Sequence, residues 1–449
     1  MQLFVLRRVR ANGVLHSDRP RIAAFVCAVG LFVGCSGEPE EAVRYLHDRS
    51  FRRATLEQSL QTRDVEYARV RLERYAASET GGWDALPEWN PRTELVSAGE
   101  LDVDGGVRLG AQLRSRSSYV SIVARARDGD LDALRLLGAL AFRLYPVQLL
   151  PRTMLALASR DNAARYGLWV DDLEGVNGIV RAEMADGSTL GALSCAGCHA
   201  SRGATGRIEF GRPNVDFDFG RVLADGAEHP DDPAITRALA WGAGRLDVST
   251  SDGREPVRIP DLRSVRWLTH LQASGLVAQT GLAALAIRIE TLIVTSHHEV
   301  LRPPREIALG LAVYVWSLAD SLPAATGRAG AEGRGESIFQ SHCTSCHAGP
   351  GMSGPPIAAD VIGTDRATSQ SPSRGTGMYR VPSLRGVGTR GPLLHDGTVP
   401  DLEALFDRAR TLDGYPRALH GVRSIPGHTA GLDLTASDRR DLLLYLSGL

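Results

Sequence analysis

Apolar residues recur at helical spacing in four stretches of this 449-residue chain, and this pattern predicts a mainly α protein. The predicted helices span residues 65–75, 131–150, 303–318 and 435–446. Pro151 ends the second helix and Pro303-Pro304 begins the third, because proline is tolerated in the first turn of a helix but not in its interior. Thr435 and Asp438 predict a capping box at the start of the fourth helix, with Asp in the usual Glu position.

A shorter apolar run, Ile22–Gly34, follows five arginines near the N-terminus. The run is too short to span a bilayer and fits the hydrophobic part of a signal peptide. It leads into Phe32-Val33-Gly34-Cys35-Ser36, which resembles the lipobox of bacterial lipoproteins except that Phe stands where Leu is usual. The sequence therefore predicts a signal peptide over residues 1–34, a lipid on Cys35 that tethers the protein to a membrane, and a periplasmic location. The alternative is a buried core segment with a chance cysteine.

The charge balance argues against a nucleic-acid partner. The chain has 51 basic residues, all of them arginine, against 52 acidic residues, and its formal net charge is −1. A nucleic-acid-binding protein would be expected to carry an excess of positive charge. The absence of lysine is attributed to a GC-rich genome and not to any need for guanidinium groups.

Four of the six cysteines lie in two identical patterns, Cys195-Ala196-Gly197-Cys198-His199 and Cys343-Thr344-Ser345-Cys346-His347. In Cys-x-x-Cys-His, two thiols one short turn apart can add to the two vinyl groups of one haem, and the histidine can reach the iron. The motifs therefore predict two covalently bound haem c groups, with His199 and His347 as proximal iron ligands. A zinc site pooled from the two motifs is the alternative, because zinc also takes Cys and His ligands. A signal peptide and a repeated motif argue against it.

The sequences around the two motifs repeat one another. Ile259–Val265 matches Val381–Val387 at an offset of 122 (382 − 260), and Tyr314 matches Tyr445 in the closing helices at an offset of 131 (445 − 314). The repeat predicts two haem-bearing domains. The predicted division is an N-terminal helical region over 35–160, a first haem segment over 161–322, a linker over 323–335 and a second haem segment over 336–449.

The second axial ligand of each iron decides the function, because a filled iron passes electrons and an open iron can bind peroxide or oxygen. His297 and His428 stand at equivalent places before the closing helices (428 − 131 = 297) and are the symmetric candidates for this position. Surface histidines in loops are the competing interpretation of both. Met378 is an alternative ligand for the second haem, since it lies in a Gly/Ser-rich loop before the repeated Pro382 stretch.

The second segment resembles the bacterial di-haem cytochrome c peroxidase and MauG-like superfamily. The resemblance lies in Tyr379-Arg380-Val381-Pro382-Ser383-Leu384-Arg385-Gly386-Val387 and in Gly391-Pro392-Leu393-Leu394-His395-Asp396-Gly397. The tail Pro426-Gly427-His428-Thr429-Ala430-Gly431-Leu432-Asp433-Leu434 is more similar to the di-haem rubber oxygenases, where a late histidine serves as an axial ligand. The first segment matches only through its haem motif and Pro260-Asp261-Leu262-Arg263. The resemblance implies two class I cytochrome c domains, mainly α-helical.

Two departures from the family pattern keep the activity open. Peroxidases of this group carry a distal histidine soon after the first motif, whereas no histidine lies between His199 and His229 here. They also place a methionine ligand after the His-Asp-Gly stretch, and no methionine follows Met378. The resemblance therefore implies ancestry and fold, and leaves peroxidase activity undecided.

Three functions remain as expectations. The first is electron transfer between periplasmic redox proteins through two low-spin haems. The second is a peroxidase-like enzyme that reduces hydrogen peroxide at one haem, with His270 or His298 as the base. The third, weaker expectation is an oxygenase acting on an apolar substrate. His395, from its family position, is a candidate for supporting the second haem or for a purely structural role, and Trp241 and Trp267 are candidates for lying between the haems.

Overall fold

The computed structural model describes residues 37–77, 81–95, 117–149, 160–171, 175–184, 186–203, 205–247, 253–322 and 331–449. The predicted signal peptide, Cys35 and most of the predicted linker lie outside these ranges. The α-helices are, in chain order, α1 Glu38–His47, α2 Arg49–Ser59, α3 Glu66–Arg74, α4 Ser117–Arg127, α5 Leu131–Leu144, α6 Arg160–Arg165, α7 Cys195–His199, α8 Phe219–Asp225, α9 Pro233–Leu239, α10 Leu282–Ser296, α11 Arg305–Ser317, α12 Ala331–His342, α13 Ala359–Ile362, α14 Leu402–Leu405 and α15 Ala436–Ser447.

The strands are short and form small antiparallel sheets. They are β1 Thr93–Leu95, β2 Gln148–Leu149, β3 Val170–Asp171, β4 Gly175–Val176, β5 Ile179–Glu183, β6 Thr189–Leu193, β7 Ala200–Arg202, β8 Ile208–Phe210, β9 Arg245–Leu246, β10 Val257–Arg258, β11 His270–Leu271, β12 Val277–Ala278, β13 Ile357–Ala358 and β14 Met378–Tyr379. One sheet has four strands in the order β1-β5-β6-β2, and the other pairs are two-stranded ribbons. The fold is mainly α with small sheets, as predicted.

The predicted helices correspond to α3, α5, α11 and α15, with one wrong boundary. The chain leaves α5 at Tyr145, whereas the sequence predicted a helix to residue 150. Pro146 explains the difference, because the residue before a proline is driven out of the helical region. The predicted capping box is confirmed: the Thr435 hydroxyl oxygen accepts a hydrogen bond from the Asp438 amide at 3.1 Å. None of the described helices is long and apolar enough to cross a membrane.

Helices α5 and α11 pack in very close contact in the main core. A Cβ atom added to Gly138 of α5 would come within 1.8 Å of the carbonyl oxygen of Gly310 in α11. One turn further along, the rings of Phe142 and Tyr314 meet edge to face, with their centroids 5.2 Å apart. Only a residue without a side chain permits this approach of two helix backbones.

Helices α12 and α15 repeat this packing near the C-terminus. A Cβ atom added to Gly335 of α12 would lie 2.2 Å from the carbonyl oxygen of Asp441 in α15. The rings of Phe339 and Tyr445 have centroids 5.4 Å apart. In α11 and α15, Gly310 corresponds to Asp441 and Tyr314 corresponds to Tyr445. Both correspondences have the offset of 131 that the sequence predicted (441 − 310 and 445 − 314). The two helix pairs are therefore built alike.

The pairing of α5 with α11 crosses the division predicted at residue 161. Helix α5 lies in the predicted N-terminal region. It nevertheless packs on α11 in the way that α12 packs on α15. The haem motif follows Phe339 of α12 after 4 positions (343 − 339), whereas the first motif follows Phe142 of α5 after 53 positions (195 − 142). Part of the extra length is the hairpin β5-β6, which ends at Leu193, two residues before Cys195.

The two repeated stretches contact each other reciprocally. The backbone N–H of Arg258 donates to the carbonyl oxygen of His395 at 3.0 Å, and the N–H of Arg380 donates to that of Ala273 at 2.9 Å. Arg258 and Arg380 are equivalent residues of the repeat, and so are Ala273 and His395, since each pair differs by 122 positions. Equivalent surfaces that exchange equivalent contacts are the mark of a local two-fold relation.

Two glycines on the same helix test the importance of the α12–α15 approach. We expect Gly335→Ala to destabilise the fold by about 1–3 kcal/mol, because its methyl group would overlap the carbonyl of Asp441. A Cβ atom at Gly333 would meet nothing within 4 Å, so Gly333→Ala should instead stabilise the protein by about 0.5–1 kcal/mol through helix propensity. Chemical denaturation followed by circular dichroism measures both. Equal effects of the two substitutions would contradict the packing described.

Candidate haem-binding sites

The first Cys-x-x-Cys-His motif forms the short helix α7 and is enclosed by a turn from the four-stranded sheet. Gly178 has a φ of +76°, and a Cβ atom added there would lie 2.0 Å from the amide nitrogen of Gly197. The Asn177 side-chain amide donates to the carbonyl oxygen of Ala196 at 2.7 Å. This turn therefore holds the backbone of the motif in place from one side.

His199 has its ring fixed by a backbone carbonyl from the repeated stretch. Its Nδ1 lies 3.1 Å from the carbonyl oxygen of Pro260. Burial lowers the pKa of His199 to about 4, against the opposing effects of the Pro260 carbonyl and Asp261. A neutral imidazole that donates from Nδ1 keeps a lone pair on Nε2, which is the form that binds a metal.

The second motif follows α12 directly and has the same arrangement. The amide of Cys343 donates to Phe339 at 2.8 Å and the amide of His347 donates to Cys343 at 2.9 Å, so the motif continues the helix. His347 is buried, and its Nδ1 lies 3.1 Å from the carbonyl oxygen of Met352. Burial lowers the pKa of His347, and hydrogen bonds to the carbonyls of Met352 and Pro382 oppose this. Pro260 and Pro382, equivalent residues of the repeat, thus face the two proximal histidines.

The four thiols of the motifs are free and partly buried. Burial raises the pKa of both Cys195 and Cys198 to about 12. Burial, with a smaller effect of Cys346, raises the pKa of Cys343 to about 11. Within the described ranges, no three His, Cys, Asp or Glu side chains come together as a metal-binding group, so the geometry does not support a pooled zinc site.

His428 lies opposite His347. Their ring centroids are 6.5 Å apart and the ring planes are inclined by 56°. An iron atom held between two imidazole nitrogens, at about 2 Å from each, would set the ring centroids roughly 6 Å apart. Nδ1 of His428 is buried and has no hydrogen-bond partner among the described residues. The spacing of the two rings therefore fits an iron between them.

Arg410 fastens the loop that carries His428. Its guanidinium is fully buried and donates to four backbone carbonyls at 2.6–2.8 Å, those of Leu405, Ile425, Gly427 and His428. A planar fork of donors suits this task, and lysine could not reproduce it. Reasoning from the sequence missed Arg410, because an isolated arginine in a loop has no distinguishing pattern.

His297 and His428, the symmetric candidates, have different surroundings. His297 is fully buried at the end of α10, where its Nε2 lies 2.9 Å from the carbonyl oxygen of Pro146. Its ring meets Trp89 edge to face at 5.2 Å. Burial lowers its pKa to about 4. Its Nε2 is engaged by a carbonyl, whereas its Nδ1 is buried and has no hydrogen-bond partner among the described residues.

The other candidate residues are dispersed. Met378 is half-buried in β14, opposite Ala358, and its backbone N–H bonds to a threonine hydroxyl. His298 is exposed at a φ of +55°, which argues against it as a base in an enclosed pocket. His270 is half-buried in β11, with Nδ1 3.1 Å from the Thr269 hydroxyl, and burial lowers its pKa.

His395 is held against an aromatic ring of its own segment. Its ring lies 4.4 Å from that of Tyr379, and the Tyr379 hydroxyl is 3.4 Å from Nε2. Burial lowers the pKa of His395, and Asp396 opposes this. His395 and Asp396 line a cavity of about 500 Å³ that is also lined by Arg245 and Arg254 from the first segment. His395 therefore lies where the two segments meet.

The two tryptophans singled out in the sequence have different environments. Trp241 packs in a core beside Phe219, and its Nε1 donates to a backbone carbonyl at 2.8 Å. Trp267 contacts the second segment: a Cβ atom added to Gly351 would lie 2.4 Å from its carbonyl oxygen, and the Arg385 guanidinium lies 5.4 Å from its ring centre. Trp267, and not Trp241, is placed between the two haem-motif segments.

The free thiols, the carbonyl-bound imidazoles of His199 and His347 and the facing His347–His428 pair together fit haem c. Residues 330–446 match the family described as cytochrome c oxidase, cbb3-type, subunit III. The methylamine utilization protein MauG of Methylorubrum extorquens is 26% identical over 285 residues, which cover 58% of this chain and 74% of MauG. A crystal structure of a MauG-like protein associated with microbial copper homeostasis is 18% identical, with a TM-score of 0.33 and coverage of 46% of this chain and 78% of that one.

The chain is therefore a haem-binding c-type cytochrome with a redox function, similar to MauG and the cytochrome c peroxidases. Its cytochrome c domain lies over residues 330–446, and the motif at Cys343–His347 belongs to it. The resemblance predicted from the sequence is confirmed to this extent.

The hydrogen bonds that hold the loop of His428 to Arg410 can be tested with a neighbouring arginine as control. We expect Arg410→Lys to destabilise the cytochrome c domain by roughly 2–4 kcal/mol, because several buried carbonyls lose a charged donor. The exposed Arg408 of the same turn should tolerate Arg408→Lys without measurable loss. A thermal melt followed by haem absorbance and by circular dichroism compares the two variants. Identical melting temperatures of Arg410→Lys and the wild type would contradict a stabilising role of the Arg410 hydrogen bonds.

Proposed function

We propose that this protein is an exported di-haem c-type cytochrome that transfers electrons between redox partners in the periplasm. The observation that carries the proposal is the His347–His428 pair, with ring centroids 6.5 Å apart. An iron with both axial positions filled by imidazole is suited to passing electrons and not to binding a small substrate.

A haem bound at each motif would supply the one-electron chemistry of its iron. The chain's own residues would hold it: the thiols of each motif, His199 at the first, and His347 with His428 at the second. The carbonyl of Pro260 accepts a hydrogen bond from Nδ1 of His199, and the carbonyl of Met352 accepts one from Nδ1 of His347, which makes both imidazoles stronger ligands. Trp267 lies between the segments and offers an aromatic ring on the route between them.

Two class I cytochrome c domains are part of the proposal. The glycine-mediated packing of α5 on α11 and of α12 on α15 supports two copies of one unit. The reciprocal hydrogen bonds of Arg258 and Arg380 support a two-fold relation between the copies. In this proposal the first domain includes α5 and therefore begins before residue 161, with residues 145–194 inserted ahead of its haem motif.

A peroxidase-like activity is the second candidate, favoured by the placement of His297. Its Nε2 is occupied by the carbonyl of Pro146, which argues against ligation of the first haem through this nitrogen. An iron with an open position can bind hydrogen peroxide, and the second haem would then deliver electrons to it. Relatedness to MauG is compatible with both candidates.

Paired histidine substitutions separate the two candidates. We expect His428→Ala to convert one haem from low-spin to high-spin, because it removes an axial ligand. His297→Ala should leave the spin state unchanged, since this imidazole is bound to a carbonyl. Electron paramagnetic resonance and optical spectra of the oxidised proteins give both results. A low-spin spectrum retained in His428→Ala would overturn the ligand assignment.

The wild-type spectrum tests the carrier function directly. Two low-spin signals that do not respond to added peroxide would support electron transfer. A high-spin species in the wild type that reacts with peroxide would overturn the simple carrier and support the enzyme. The intact mass of the protein counts the covalently attached haems independently of either result.

The proposed membrane tether depends on Cys35, which lies outside the described residues. We expect Cys35→Ser to move the protein from the membrane fraction to the soluble periplasmic fraction, because the lipid has no other attachment point. Immunoblotting of fractionated cells measures the distribution, with Cys27→Ser in the same predicted signal peptide as control. Unchanged membrane association of Cys35→Ser would contradict lipidation.

A further inference from the structure

A buried ion pair lies beside the backbone that holds the first proximal histidine. Arg263 binds the Asp261 carboxylate through two nitrogens, with Nε at 3.1 Å and Nη2 at 2.6 Å, and binds Glu209 through Nη1 at 3.0 Å. Asp261 and Arg263 are 5% and 6% exposed. Glu209 also pairs with Arg212 at 3.1 Å. A guanidinium bound by two nitrogens holds its carboxylate in one geometry.

This ion pair joins the two pieces of backbone that contact His199. Glu209 lies in β8, and two residues later the N–H of Gly211 donates to the carbonyl oxygen of His199 at 2.7 Å. Asp261 follows Pro260, whose carbonyl oxygen lies 3.1 Å from Nδ1 of His199. The guanidinium that binds both carboxylates therefore fixes the contact to the backbone of this histidine and the contact to its ring.

Asp261 also brings a negative charge to the hydrogen bond of the proximal imidazole. The peptide bond that joins it to Pro260 carries the oxygen that His199 faces. Burial lowers the pKa of His199 to about 4, and the Pro260 carbonyl and Asp261 oppose this. A negative charge on the Nδ1 side makes the imidazole a stronger ligand. It also stabilises the oxidised state of a bound iron, because that state carries one more positive charge.

The second segment has the same turn with an uncharged residue at this position. Ser383 stands where the repeat has Asp261 (383 − 261 = 122). In each copy the side-chain oxygen accepts the N–H two residues later: Asp261 from Arg263 at 2.9 Å, and Ser383 from Arg385 at 3.2 Å. Nε of Arg385 donates to the carbonyl of Pro350 at 2.9 Å. The two turns thus share a hydrogen bond and differ in a carboxylate.

We propose that Asp261 and Arg263 are positioning residues of the first haem site, which orient His199 and set the reduction potential of the haem bound there. The carboxylate lowers this potential and the guanidinium limits the lowering, so the two residues act with opposite signs. Glu209 ties the pair to β8. This inference rests on the proposed function, because it requires a haem at the first motif.

Single substitutions of the two partners test the opposite signs. We expect Asp261→Asn to raise the potential of the first haem and Arg263→Gln to lower it. Each shift should be roughly a tenfold change in the equilibrium between oxidised and reduced haem, about 59 mV for one electron. The double variant should have a potential close to that of the wild type, because both charges are removed together. Spectroelectrochemical titration measures the potentials.

A reciprocal exchange tests the difference between the two copies. Asp261→Ser and Ser383→Asp exchange the charge, and both keep a side chain that accepts the hydrogen bond of the turn. We expect Asp261→Ser to raise the potential of the first haem alone and Ser383→Asp to lower that of the second haem alone. The absorbance change that His428→Ala alters belongs to the second haem and separates the two titrations.

An exposed ion pair provides the matched control. Arg417 and Asp401 lie 2.8 Å apart, with side chains that are 47% and 43% exposed. Asp401→Asn and Arg417→Gln make the same changes of charge away from both motifs and should leave both potentials unchanged, because solvent screens an exposed pair.

The failure of this inference differs from the failure of the proposed function. A wild-type peptide that contains Cys195 and Cys198 without the added mass of haem would overturn the di-haem function, and the inference with it. A first haem whose potential is unchanged in Asp261→Asn, or moves in the same direction in Asp261→Asn and Arg263→Gln, would overturn the positioning role alone. If Arg263→Gln does not fold, Asp261→Asn decides: a rise supports the proposal, and any other result overturns it.

Discussion

The reciprocal backbone hydrogen bonds between the two repeated stretches are the contacts on which the arrangement of the sites depends. Arg258 donates to His395, and Arg380 donates to Ala273, so each stretch uses its arginine to bind the other. Two residues further along the chain, the same stretches supply the proline carbonyls that face His199 and His347. The backbone that joins the two segments therefore also supplies the hydrogen-bond acceptor of the His199 imidazole, whereas the His347 imidazole is bound by the carbonyl of Met352.

The two sites share their proximal sides and differ in their distal sides. His428 faces His347, in a loop whose carbonyls at Ile425, Gly427 and His428 accept hydrogen bonds from Arg410. His297 stands the same number of residues before its closing helix, yet it ends the regular helix α10 and bonds to Pro146. When a duplicated haem site keeps one side and changes the other, one copy can accept electrons while the other uses them in a reaction. Both proposed functions are compatible with this arrangement.

The sequence was informative where a residue type has only one common use, and uninformative where the chain folds back over long distances. The motifs, the repeat offset and the cap of α15 could be predicted, because thiol spacing, proline and threonine act locally. The pairing of α5 with α11 could not, since 53 positions separate Phe142 from its motif. His297 matched His428 in spacing alone, and spacing does not record whether a ring nitrogen faces a carbonyl or an open pocket.

The partial burial of the thiols bears on the order of assembly. A thiol adds to a vinyl group through its reactive anion, and burial raises the pKa of Cys195 and Cys198 to about 12, which disfavours that anion in the folded site. Attachment of haem would therefore be favoured while the motif is still open. The turn at Asn177 and Gly178, which holds the backbone of this motif from one side, would then close over it afterwards.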